Sequence, residues 1–125
     1  MWICFNNAFL SIVDKSNVPG CLLVRARRRQ HLLAVFPNAK VNESFGTDYR
    51  FRADIPREEV ARVVAAQVMA IKYSNFKNSV DDDRLHSAYN SVWATMGRLQ
   101  PGGPYSRRRK EPEFPFDDGQ DDGFY

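Results

Sequence analysis

The residue pattern points to a small α+β domain followed by a charge-segregated tail, on three grounds. Apolar and polar residues alternate one by one in short segments before residue 56, apolar residues recur at helical spacing after it, and a Pro101-Gly102-Gly103-Pro104 run ends the pattern. At 125 residues the chain is long enough for one cored domain and too short for two ordinary ones. Its 43% apolar and 13% aromatic residues supply that core, so wholesale disorder is excluded.

Residues 1–13 are dense in Trp, Ile, Phe and Val and are interrupted by Asn6-Asn7, which predicts a short strand or hairpin arm and then a firmer strand over 9–13. Asn17, Pro19 and Gly20 make 16–20 a turn. In a second strand over 21–27, Leu22, Val24 and Ala26 point one way while Leu23, Arg25 and Arg27 point the other. The spacing turns helical over 28–36, with Leu32, Leu33, Val35 and Phe36 on one face, and Pro37-Asn38 stops it. A weak strand over 39–44 and a turn at Gly46-Thr47-Asp48 lead to a clear strand over 49–55. There Tyr49, Phe51, Ala53 and Ile55 share one face, and Arg50, Arg52 and Asp54 share the other.

Pro56 opens the strongest helix, with Glu58 and Glu59 in the first turn where they complement the helix dipole. Val60, Val64, Val68 and Ile71 form its apolar stripe, widened by Ala61, Ala65 and Met69. Residues 73–80 read as a connection anchored by Phe76. Asp81, Asp82 and Asp83 offer N-caps for a last helix in which Leu85, Tyr89, Val92, Met96 and Leu99 recur on one side. The resulting order is ββαββαα. Because each strand has one consistently apolar side, the expected architecture is a small antiparallel or mixed sheet with helices on one face, with a ferredoxin-like arrangement as the leading topology. Residues 1–100 form the single domain and 101–125 a disordered tail.

The net charge of +3 conceals a division. Residues 1–110 hold all the Lys and Arg but only nine acidic residues, for a net +9, and 111–125 hold six acidic residues and no basic one. Such asymmetry bears on association and solubility. No apolar stretch approaches the roughly 18 residues of a membrane span. The N-terminus has no basic n-region, so no export signal is read. Cys4 and Cys21 lack the spacing of a zinc site and read as buried free thiols, with a single disulfide as the alternative.

The arginines carry the sharpest functional expectation. Arg25 and Arg27 on one strand and Arg50 and Arg52 on another all fall on the side opposite the helices, with Arg28 and Arg29 at the rim. If the two strands are neighbours, this is a basic patch on an open sheet, the kind of surface that RNA-binding domains present to phosphates and bases. Phe9 is the one aromatic placed to join it. A solvated strand face kept soluble by arginine explains the same pattern. The run Arg107, Arg108, Arg109 and Lys110 adds a second basic element suited to phosphate contact without sequence preference.

Catalysis finds little support. His31 and His86 lack ligating neighbours at helical spacing, and three consecutive aspartates cap a helix more readily than they enclose one cation. Lys77, His86 and Tyr89 could be imagined as the acid-base group of a small metal-independent ribonuclease, but surface side chains account for them. There is no glycine-rich phosphate loop, G-x-S-x-G or H-E-x-x-H. No enzyme, cofactor or metal is expected.

Two resemblances extend this reading. Phe9-Leu10-Ser11-Ile12-Val13, Leu22-Leu23-Val24-Arg25-Ala26-Arg27, Val35-Phe36-Pro37, Asp48-Tyr49-Arg50-Phe51-Arg52-Ala53 and Tyr73-Ser74-Asn75-Phe76-Lys77 together resemble a family of short, functionally unassigned proteins of bacteria and their phages. That resemblance implies a cytoplasmic protein with an accessory role in a mobile element, including inhibition of a host defence complex. Residues 111–125, with Phe114, Phe116, Asp117, Asp118, Asp121, Asp122, Phe124 and Tyr125, resemble the acidic tips of single-stranded DNA-binding proteins, which implies a protein partner for the tail or competition with nucleic acid for a basic surface. The expectation is a non-enzymatic binding module that contacts nucleic acid or a nucleoprotein complex through its arginine face, with an acidic tip for protein contact or autoregulation. The alternative is a phage or mobile-element inhibitor or adaptor, anti-CRISPR-like, acting on a nucleic-acid-handling complex.

Overall fold

The computed structural model describes residues 1–102. Its sheet begins with a hairpin whose two arms, β1 (Trp2–Phe5) and β2 (Ala8–Val13), are joined through Asn6-Asn7, so that Phe5 faces Ala8. β3 (Cys21–Ala26) returns antiparallel to β2 after the turn at Gly20, whose φ of +78° suits a residue without Cβ. α1 (Arg29–Val35) then crosses one face and stops before Pro37. The two-residue β4 (Asn42–Glu43) and β5 (Phe51–Pro56) complete a sheet of order β1-β2-β3-β5-β4, every pair antiparallel. α2 (Arg57–Met69), a single 3-10 turn (Lys77–Ser79) and α3 (Asp83–Gly97) follow.

The class is therefore α+β, a five-stranded antiparallel sheet with three helices in the order βββαββαα. The additional strand relative to ββαββαα is β1, the hairpin arm. The topology is a meander of β1, β2 and β3 with β5 paired directly to β3, so no strand is inserted between them as a ferredoxin-like split would require.

Strand alternation produces the main core. Leu10 and Ile12 of β2, Val24 and Ala26 of β3, and Ala53 and Ile55 of β5 point to one face, where Leu32 and Val35 of α1, Phe36 just after it, and Val60 of α2 close over them. α1 and α2 thus lie on one face as expected, whereas α3 lies against the other. Leu85 and Tyr89 of α3 pack with Val80, Phe76 and Phe9, and Phe9 projects from β2 on the side opposite Leu10. The correction has a physical cause: the alternation leaves Phe9 and Ser11 on the second face as side chains that also need cover, and the connection 70–82 carries the chain round to supply it. The buried Tyr89 hydroxyl donates toward the carbonyls of Phe5 and Ala8, 2.9 Å from each, which fastens α3 to the hairpin end. Desolvation pushes this phenol above its ordinary range.

Both later helices outrun the sheet. Val60 is the buried residue of α2, Val63 and Val64 are half-buried, and Val68, Met69 and Ile71 are exposed. In α3 only Leu85 and Tyr89 are buried, although Val92, Met96 and Leu99 continue the same stripe. Cys4 and Cys21 are free thiols, Cys4 exposed and Cys21 half-buried, in place of the expected burial. No described helix is long and apolar enough to cross a membrane.

Candidate nucleic-acid interface

The predicted arginine strands are neighbours. β3 and β5 pair over six residues, and the register sets Arg25 directly opposite Arg52. Arg25 is also opposite Ser11 on β2, and its Nη2 donates to the fully buried Ser11 hydroxyl at 2.7 Å. Its guanidinium carbon is 4.6 Å from the centroid of Tyr49, and that of Arg27 is 4.3 Å from the same ring. Tyr49 is only 2% exposed. The two cations therefore meet the electron-rich face of a buried ring, the geometry in which a cation-π contact is worth most. Arg25 Nε is buried without a hydrogen-bond partner among the described residues. Arg52 Nε donates to the Tyr49 carbonyl at 3.1 Å, and the same guanidinium lies 3.9 Å from Asp48.

Two expected positions are exchanged. Alternation along 49–55 sets Tyr49 on the core face and Arg50 with the other arginines, but the ladder regularity begins only at Phe51. The Ser44 N–H donates to the Arg50 carbonyl at 2.7 Å, and the Thr47 hydroxyl lies 2.9 Å from the carbonyls of both Ser44 and Tyr49. Residues 44–50 are thus the closing turn of the β4–β5 hairpin, where period-two reasoning does not hold. Tyr49 swings to the arginine side. Arg50 goes to a second cluster, 4.3 Å from the exposed Phe45 ring and 5.6 Å from Phe51.

Arg29 joins that second cluster, 5.4 Å from the Phe51 ring, and shares Glu43 with Arg50 at 3.0 and 3.5 Å. The Arg29 hydrogen bond, helped by Arg50, holds the Glu43 carboxyl below its usual range. Arg28 bonds Asp82 at 3.0 Å. Asp82 is the N-cap of α3, accepting from the Leu85 N–H at 2.9 Å; that bond chiefly, with Arg28 adding to it, lowers its pKa.

The end of β3, the start of α1 and the β4–β5 turn therefore carry two arginine clusters, Arg25, Arg27 and Arg52 about Tyr49 and Asp48, and Arg29 and Arg50 about Phe51 and Glu43, with Arg28 paired to Asp82. Together they hold six guanidinium groups and three carboxylates. Arg25 and Arg27 form no ion pair among the described residues. Arg27 is also the more exposed of these two, leaving it open to an anion from solution.

Phe9, the expected aromatic of this face, is instead covered beside Phe76 and the α3 side chains. Phe45 takes that part without any sequence signal: its place in a Gly46-containing turn gives no sign that an arginine stacks on it. His31 has a structural task, since β3 ends at Ala26 and leaves the Phe9 N–H beyond the ladder, where His31 Nδ1 accepts it at 3.2 Å. Burial, with Arg28 nearby, depresses the His31 pKa. The Lys77 ammonium sits 3.6 Å over the Trp93 ring, and the Tyr89 hydroxyl bonds the hairpin carbonyls. Among the described residues no group of His, Cys, Asp or Glu could hold a metal ion. Arg107, Arg108, Arg109, Lys110 and the acidic-aromatic segment 111–125 lie outside the described residues. No family model, curated protein or solved structure matches the chain.

Proposed function

We propose that the arginine corner contacts a polyanion, nucleic acid or a nucleoprotein complex, chiefly through phosphate. The observation that carries this reading is the in-register Arg25–Arg52 pair with Arg27 beside it and an excess of three positive charges over the neighbouring carboxylates. A surface of one sign concentrates counter-ions and steers their approach. Tyr49 is too buried to receive a base, so the contact is with the backbone and carries little sequence preference. The exposed Phe45 with Arg50 upon it is the one platform among the described residues of the corner on which an unpaired base could stack. The acidic segment 111–125 then engages a protein partner or limits this contact.

Fluorescence anisotropy with a single-stranded and a duplex oligonucleotide at several salt concentrations tests it. The affinity should fall with salt, and Arg27→Ala should reduce the slope of log K against log salt by about one phosphate contact, roughly 0.7 to 0.9. Absence of binding at low salt, or binding indifferent to Arg27→Ala and Arg50→Ala together, would refute it. Recovery of a stable protein partner after nuclease treatment would favour the inhibitor or adaptor instead.

A further inference from the structure

Phe45 sits in the β4–β5 turn as an exposed ring on a built support. At 71% it is the most exposed aromatic side chain among the described residues, so its apolar surface stays in water instead of entering either core. Its support is a column of alternating rings and cations. The Arg50 guanidinium carbon lies 4.3 Å from the Phe45 centroid and 5.6 Å from that of Phe51, and Arg29 lies 5.4 Å from Phe51. Glu43 holds both arginines, at 3.0 and 3.5 Å. The turn beneath is closed by the Ser44 N–H on the Arg50 carbonyl and by the Thr47 hydroxyl, which fixes the backbone that carries the ring. With Arg50 over one face, the exposure of Phe45 belongs largely to the other.

We propose that the open face of Phe45 stacks an unpaired base, which makes it the residue by which the arginine surface distinguishes single-stranded from duplex nucleic acid; this rests on the polyanion reading above. Among nucleic acids, only an unpaired nucleotide presents a free π face together with phosphate, because each base of a duplex is already stacked between its neighbours and shows only its edge. The surroundings of the ring suit both groups. Two guanidinium groups against one carboxylate leave the column with net positive charge, and Arg27, which pairs with no carboxylate among the described residues, extends that charge into the adjoining cluster. A ring accepts the π face of every base, so Phe45 selects strandedness and leaves sequence unread.

Fluorescence anisotropy on the full-length protein at low salt compares three labelled probes of equal length: a mixed-sequence single strand, the same strand in duplex, and an abasic strand that keeps every phosphate and carries no base. The single strand should bind at least about fivefold more tightly than the abasic strand, the yield of one stacked base. Phe45→Ala should remove that difference while leaving the abasic and duplex affinities unchanged, and Phe45→Trp should keep it. Arg27→Ala should weaken all three probes alike. A urea midpoint equal to that of wild type, expected for so exposed a side chain, shows that each Phe45 variant is folded. Equal affinity of the wild type for the single and abasic strands, or a loss on Phe45→Ala shared by all three probes, would overturn base stacking and leave phosphate contact standing. Failure of every probe to bind would overturn the polyanion reading and base stacking with it.

Discussion

Replacing Arg25 by Met tests whether the arginine face is a built structure or a row of solvated side chains. Met keeps much of the length of the side chain and removes its charge and donors. The Arg25 Nη2 bond to Ser11 is short, at 2.7 Å, and its acceptor is fully buried. A hydrogen bond from a charged donor is worth about 1.5–3 kcal/mol, and leaving a buried hydroxyl without its donor places the loss at the upper part of that range. The Tyr49 contact at 4.6 Å adds about 0.5–1 kcal/mol. Against these, Met no longer requires desolvation of a guanidinium whose Nε already lacks a partner, which returns on the order of 1 kcal/mol. The net expectation is a destabilisation of about 2 kcal/mol, or a Tm lower by roughly 8–16 °C for a domain of this size. Urea denaturation of wild type, Arg25→Met, Ser11→Ala and the double variant measures it directly. The cycle should return a coupling of about 1–2 kcal/mol between the two residues. An Arg25→Met variant as stable as wild type, or a coupling near zero, would show that Arg25 is an ordinary strand-face side chain and that the Ser11 contact contributes nothing.

Stability should also fall with acidification from about pH 7.5 to 5.5 through His31. Its folded pKa lies below the unfolded value near 6.5, so the unfolded chain binds the extra proton in this window; the contribution is complete above about 6.5 and is lost as pH falls toward the folded pKa. Denaturation midpoints at the two pH values report it, and a His31→Gln variant that kept the full pH dependence would remove His31 as its source. Tyr89→Phe should cost about 1–2 kcal/mol, because the carbonyls of Phe5 and Ala8 lose a buried donor while the ring packing survives. An unchanged urea midpoint would mean that α3 is held by apolar contact alone.

A protein with its charge divided in this way also varies its stability slightly with salt. The exposed pairs Arg28–Asp82, Arg29–Glu43 and Arg50–Glu43 weaken as the Debye length shrinks, and each is worth little by itself.

Features that depend on local periodicity are legible from the residues alone. Alternation in 21–26 and 51–55 specifies which side chains enter the core, because a strand turns over at every residue; Leu22, Val24, Ala53 and Ile55 do pack there. Pro37 limits α1, and Asp82 caps α3, through chemistry confined to one helix end. The same periodicity places Arg25 and Arg52 on the face away from α1 and α2.

Long-range folding governs the positions where the chain leaves a regular period or where distant segments meet. Tyr49 and Arg50 exchange sides because a hairpin turn, held by Ser44 and Thr47, extends two residues into what alternation assigns to a strand. That β3 and β5 are adjacent, so that the arginines sit in register, depends on pairing between segments on either side of α1 and β4, which no local preference specifies. The choice of face for α3 rests on one buried phenol and two hairpin carbonyls more than 80 residues away in sequence. Its heptad spacing is visible in the residues themselves. That half of the stripe lies beyond the sheet and exposed depends on where α3 is anchored, which spacing alone does not specify.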